Sequence, residues 1–187
     1  IALTASPVSM LTVSQQILAQ IGLFAAFLLI LSSGHKWLQP ARTRVAVQKL
    51  ASLPLRFAKG VVVVVSLLEF CAGVLLIVPV TRYAGAALAL LIWSVYFLLI
   101  ARAWAAGRRD VDCGCSFGSL HQPLGAFPLL RNVSLVAIGL ALVLGPTDVS
   151  DLLSPSKILA GLALLALYAA LDQVMALRPI RRAGEAI

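Results

Sequence analysis

Cys113 and Cys115 are separated by a single glycine in the segment DVDCGCSFGSLH, residues 110–121. Cysteines at i and i+2 place their Cα atoms ~6 Å apart, within the range a disulfide spans. The ring they close is small, and closing it strains the bond. A strained disulfide is easier to reduce and therefore more oxidising. Gly114 supplies the backbone freedom such a ring demands. The spacing suits reversible thiol–disulfide exchange better than structural stapling.

Exchange requires a thiolate, and neighbouring cations favour that form. His35, Lys36, His121 and Arg131 are the candidates, with Asp110 and Asp112 acting in the opposite sense, and one of Asp112 and Asp172 could instead move a proton or pair with a basic residue. Two other readings stay open. A dithiol also binds soft ions such as Zn, Cu(I) or Hg, so Cys113, Cys115 and His121 would be the ligands of a soft-metal carrier or transporter. The segment could equally be a turn whose cysteines stay idle.

The elements that must position these residues are hydrophobic. The chain has 187 residues, 61% hydrophobic and 12% charged, against roughly 25% charged in an ordinary soluble domain. It cannot cover its apolar surface with water-facing groups, so its solvent is the lipid bilayer. Weak aromatic content and the lack of strand-like alternation argue against a barrel. The expected fold is all-α, a polytopic transmembrane helical bundle forming one domain over residues 1–187. Five spans are expected at about 15–34, 59–80, 83–105, 129–145 and 156–177. The fourth is the shortest, ~25 Å at 1.5 Å per residue. The first fifteen residues hold no Lys or Arg, so the first apolar run is expected to be a retained span, not a signal peptide.

The net charge is +8. In a membrane protein such an excess sets topology and meets anionic headgroups, so nucleic acid is not an expected partner. With five spans, thirteen of the fifteen basic residues fall on one side, leaving Arg82 and Lys157 on the other. The positive-inside rule makes the rich side cytoplasmic. That places the N-terminus outside a bacterial inner membrane, and the C-terminus and Cys-Gly-Cys loop on the cytoplasmic side. Between the first two spans, apolar Val45, Val47, Leu50 and Leu53 interleave with Arg42, Arg44, Gln48 and Lys49. Pro40 suits a helix start and Pro54 a stop, so a short interfacial helix is expected over 41–53.

Topology gathers the polar residues. His35 and Lys36 end the first span, Arg131 and Asn132 begin the fourth, and Asp172 lies near the end of the fifth, all on the side of the cysteine loop. Glu69 stands apart, ten residues into the expected second span and ~15 Å deep. A carboxylate there is costly and must face a bundle interior or a cavity, either as a proton carrier or in an interhelical hydrogen bond. Cys71, two residues on, projects about 200° around the helix from it. It reads as a small inert hydrophobe. Trp37, Trp93, Tyr96 and Trp104 are candidates to line a flat apolar pocket for a membrane quinone, or to sit at the interface as such residues commonly do. Gly73, Gly85 and Gly161 allow close helix packing.

The chain resembles the MauE family of methylamine utilisation, related to DoxX-like redox-associated membrane proteins. The matching pieces run through most of the spans: SGHK ending in His35 and Lys36, then QPAR, LLEFCAGVLL around Glu69, DCGC, FG at Phe117 and Gly118, and LLRNVSL carrying Arg131 and Asn132. Members usually read Cys-Gly-Cys-Phe-Gly. Here Ser116 stands between Cys115 and Phe117, which changes the turn that Phe117 and Gly118 would shape. The resemblance implies thiol–disulfide chemistry with a thioredoxin-like partner, the MauD type. Its implied client is a protein whose disulfides form outside the cytoplasm, such as the small subunit of methylamine dehydrogenase. The charge bias and the implied client favour opposite sides of the membrane for the cysteine loop, and a re-entrant loop, or an electron relay through Cys71 or a quinone, would reconcile them.

Overall fold

The structure is a computed structural model and describes residues 7–108, 125–145 and 152–184. Asp110, Asp112, Cys113, Gly114, Cys115, Ser116, Phe117, Gly118 and His121 lie outside the described residues.

All regular structure among the described residues is helical. The helices are α1 (Pro7–Leu38), α2 (Pro40–Ala51), α3 (Leu55–Ile77), α4 (Arg82–Ala105), α5 (Ala126–Leu144) and α6 (Pro155–Gly184), with a 3₁₀ turn at Pro79–Thr81. All but α2 contain segments long and apolar enough to cross a membrane. The prolines set the boundaries. Pro40 occupies the first turn of α2, and Ser52 caps its end in the left-handed region at φ 55°. Pro54 precedes Leu55, so α3 starts earlier than residue 59, and it ends at Ile77 ahead of Pro79. Glu69 therefore lies fourteen residues beyond the first residue of α3, a helical rise of ~21 Å and more than the ~15 Å expected.

Four helices form the core. α1 packs on α3, α3 on α4, and α4 on α5, while α6 lies against α1. The main apolar cluster joins Leu28 and Leu29 of α1, Leu76 of α3, Trp93 of α4 and Leu142 of α5. In lipid, helix association comes from close packing and interhelical polar contacts, so small residues matter. A Cβ on Gly85 would sit 2.6 Å from the Leu76 backbone nitrogen, and one on Gly161 would sit 3.0 Å from Leu23 Cβ. These glycines thus let α4 approach α3 and α6 approach α1 within one bundle.

The amphipathic α2 buries Thr43, Ala46 and Leu50 and packs mainly on α3. It starts at Pro40 and ends at Ala51, inside the expected 41–53 at its far end because the left-handed Ser52 stops it.

The end of α4 steers the chain toward the cysteine segment. Gly107 takes φ 72°, the Arg108 amide donates to Ala103 O at 3.1 Å, and the Gly107 amide donates to Trp104 O at 3.0 Å. This is a Schellman-type ending, for which glycine is favoured in the left-handed position. Arg108 then donates to Lys49 O at 2.8 Å and to Ser52 Oγ at 3.0 Å. The exit of α4 is thereby tied to the end of α2.

Candidate functional site

Glu69 is the centre of the site. It is 1% exposed on the face of α3 that also buries Ser66, Ala72, Gly73 and Leu76. Lys36 reaches it from the last turn of α1. Its ammonium donates to Glu69 Oε1 at 2.8 Å, Glu69 Oε2 at 2.7 Å and Ser32 Oγ at 2.7 Å. Helical side chains lean toward the helix N-terminus, so the lysine stem runs inward along α1 from the membrane face toward the deeper carboxylate. Tyr96 Oη of α4 donates to Glu69 Oε1 at 2.7 Å, and Ser32 Oγ donates to Oε2 at 3.2 Å. The Lys36 ammonium also lies 5.6 Å from the Tyr96 ring centroid. One turn from this group, Ser33 Oγ donates to Ser66 O at 2.8 Å and locks α1 to α3.

A second pair lies across the bundle. Arg131 Nη1 of α5 meets Asp172 Oδ1 of α6 at 2.6 Å, with both side chains buried. Asn132, next in sequence, donates from Nδ2 to Pro128 O at 2.9 Å and is 2% exposed. One member of each pair, Glu69 and Arg131, borders a small cavity of about 30 Å³, whose lining mixes the polar Ser32, Tyr96, Asn132 and Tyr168 with leucines and Trp93. A space of that size takes a water or two, and its polar walls offer the partners a buried water needs.

The structure thus brings together Lys36, Glu69, Arg131 and Asn132, which lie far apart in sequence. His35 is half-buried, one position before Lys36 and about 100° around the helix from it. Cys71 faces outward and is free, away from the buried Glu69, as the helical angle requires. The aromatic quartet divides. Trp93 and Tyr96 border the polar cavity, whereas Trp37 and Trp104 are exposed at the ends of α1 and α4. A single pocket lined by all four is therefore not formed. The outward pair matches the interfacial placement of tryptophan, because its ring suits the headgroup level.

Ser32, which bridges Lys36 and Glu69, was not among the residues expected from sequence, and Asp172, expected to move a proton or pair with a basic residue, has Arg131 as its partner. Asp172 carried a signal, being a carboxylate in an apolar span on the correct side. Ser32 carried none, since a serine one turn from a lysine is unremarkable until Glu69 is seen opposite. Tyr96 was expected for its ring, and its hydroxyl proves to be the third donor to Glu69.

Known proteins match most of the chain that builds this site. The profile described as methylamine utilisation protein MauE matches residues 14–145. The chain belongs to the MauE family. A relative described as methylamine utilization protein MauE, from Paracoccus denitrificans, is 26% identical over 159 residues, covering 83% of this chain and 86% of that one. No solved structure matches. The MauE match takes in α2–α5 and most of α1, and so contains Lys36, Glu69, Tyr96, Arg131 and Asn132. Asp172 lies beyond it, so the Arg131 pair joins the matched region to α6.

Proposed function

We propose that this MauE-family protein is a thiol–disulfide redox protein of the bacterial inner membrane, acting through Cys113 and Cys115. In the oxidising direction, a partner thiolate attacks the Cys113–Cys115 disulfide. One intermolecular S–S bond forms, and the other cysteine leaves as thiolate. A second partner thiol then attacks the mixed disulfide. The partner departs oxidised, and the chain keeps two thiols and the two electrons. A thioredoxin-like protein of the MauD type is the proposed partner. Maturation of a disulfide-bearing client such as methylamine dehydrogenase is the proposed outcome, in keeping with the name of the Paracoccus relative.

The observation that carries this reading is the convergence of two buried ion pairs beneath the two helix ends between which Cys113 and Cys115 are strung. Arg108 closes α4 on one side and Gly125 caps α5 on the other, and the Lys36–Glu69 and Arg131–Asp172 pairs lie within that end of the bundle. Charged groups in a membrane interior are costly and typically mark functional pathways. A disulfide cycle needs groups that take up and return protons as thiols become thiolates. In this reading Glu69 and Asp172 move those protons, Lys36 and Arg131 hold them in place, and Asn132 fixes the first turn of α5. His35 and His121 are further site residues in this reading, on the same side, and Gly114, Phe117 and Gly118 shape the loop. The charge bias supports a cytoplasmic loop and C-terminus with the N-terminus outside.

The test is thiol labelling in intact cells and in lysates, with and without reductant. The expected result is a reductant-dependent pair of thiols at Cys113 and Cys115, reached from the cytoplasmic side, with Cys71→Ser without effect. Stoichiometric soft metal on the reduced pair, with no disulfide turnover, would instead establish the carrier reading.

A further inference from the structure

A cavity of about 120 Å³ lies between α2, α3 and α4, walled by Ala46 and Leu50 of α2, Val62 of α3 and Leu99 of α4. Lys36 and Tyr96 also line it, but their ammonium and hydroxyl donate to Glu69 and Ser32. The cavity therefore presents almost no polar surface. A ligand that buried carbonyls or charges there would lose its hydrogen bonds to water and gain none. The cavity is not sealed. Of its lining residues, Val95 is 47% exposed, and Val47 and Val65 are half-buried. In a bilayer that opening meets hydrocarbon, and an acyl chain, thinner than a ring, enters along part of its length.

The charges beside the cavity select the kind of lipid. Glu69 is the only acidic residue of α2, α3 and α4, and Lys36 holds it. Against it these helices carry Arg42, Arg44 and Lys49 on α2, Arg56 and Lys59 in the first turns of α3, and Arg102 in the last turn of α4. Arg108 bonds the exit of α4 to the end of α2, so these cations gather at one end of the bundle. Arg102 continues the lining stripe of α4. It follows Leu99 by three positions and Val95 by seven, spacings that share one helix face. It is exposed, and Val95 lies ~10 Å deeper along the axis.

We infer that this cleft binds one anionic phospholipid, with an acyl chain in the apolar cavity and the phosphate at Arg102. Basic residues beside gaps between transmembrane helices are a recurrent means of holding anionic headgroups. The chain runs from Arg102 down the Leu99–Val95 stripe and turns inward where Val95 is open. A zwitterionic lipid would fill the same walls, but its own cation would offset the attraction of the basic end. The inference is independent of the thiol reading, because no cysteine takes part in it.

The test is native mass spectrometry of the full-length protein in detergent, titrated with palmitoyl-oleoyl phosphatidylglycerol or with phosphatidylcholine of the same chains. The expected result is one phosphatidylglycerol retained at collision energies that strip phosphatidylcholine. Arg102→Gln lowers its retention at least fivefold, whereas Arg56→Gln, which removes the same charge from the far face of α3, leaves it unchanged. Ala46→Phe and Val65→Phe, which fill the cavity from different helices, lower it by a similar factor. Leu167→Phe, on the exposed side of α6, does not. All variants are compared as single species in size-exclusion chromatography. Equal retention of the two lipids overturns the inference, as does an equal loss in Arg56→Gln and Arg102→Gln. Retention unchanged in both filled variants, or lost as much in Leu167→Phe, overturns the cavity as the place of the chain.

Discussion

Lys36 of α1 and Glu69 of α3 meet at 2.7 Å with side chains 5% and 1% exposed. They are 33 positions apart in sequence, yet each oxygen of the carboxylate receives a hydrogen from the same ammonium. Removing one member of such a pair leaves an uncompensated buried charge, at a cost of about 3–5 kcal/mol, while replacing both by apolar groups is often tolerated. Lys36→Met is therefore expected to lower stability by roughly that amount, and Lys36→Met with Glu69→Leu to recover most of it. Thermal unfolding in detergent compares the three proteins. A double variant no more stable than the single would show that the pair does not act as a unit. Activity is expected to fall in both variants if Glu69 carries protons.

The Arg131–Asp172 contact at 2.6 Å joins α5 to α6, and α6 otherwise rests chiefly on α1. Asp172→Leu is expected to destabilise by about 3–5 kcal/mol through the stranded guanidinium. Exchanging the two residues, Arg131→Asp with Asp172→Arg, restores part of that loss. Both effects read out as midpoints of thermal unfolding. An exchange variant as unstable as Asp172→Leu would refute the pairing.

Gly85 marks a close contact between α3 and α4. A Cβ there would lie 2.6 Å from a backbone nitrogen and 2.8 Å from a backbone carbon, neither of which is the end of a flexible chain. Gly85→Val should cost about 1–3 kcal/mol by overpacking. Gly34→Ala meets nothing within 4 Å and, in a helix, should be neutral or slightly stabilising. Parallel thermal unfolding of the two variants checks the contrast.

The helical architecture was legible because apolar runs of span length have few alternatives in a chain so poor in charge. Pro40 and Pro54 likewise bounded α2 through constraints that act within a few residues. The outward direction of Cys71 followed from its angular offset from Glu69. What sequence did not carry was partnership. That Glu69 meets Lys36, and Arg131 meets Asp172, depends on how deeply each helix is set against its neighbour. The early start of α3 and the inward lean of the lysine stem both alter that register. Tyr96 shows the same limit. An aromatic residue in a span advertises its ring, whereas its hydroxyl became informative only when the third helix brought it to the carboxylate.

The central claim concerns Cys113 and Cys115, and trapping of a mixed disulfide tests it most directly. Nanodisc-embedded protein carrying Cys71→Ser, with either Cys113→Ser or Cys115→Ser added, is incubated with a thioredoxin-like partner that lacks its resolving cysteine and whose remaining cysteine is held as a mixed disulfide with thionitrobenzoate, which leaves as the cross-link forms. Non-reducing electrophoresis and peptide mass spectrometry follow. The account predicts a reductant-sensitive cross-link through the remaining cysteine in at least one of the two variants, none when both are serine, and a Cys113–Cys115 disulfide in protein that retains the pair. Two thiols that stay fully alkylable under oxidising conditions, with no cross-link in any variant, would contradict it.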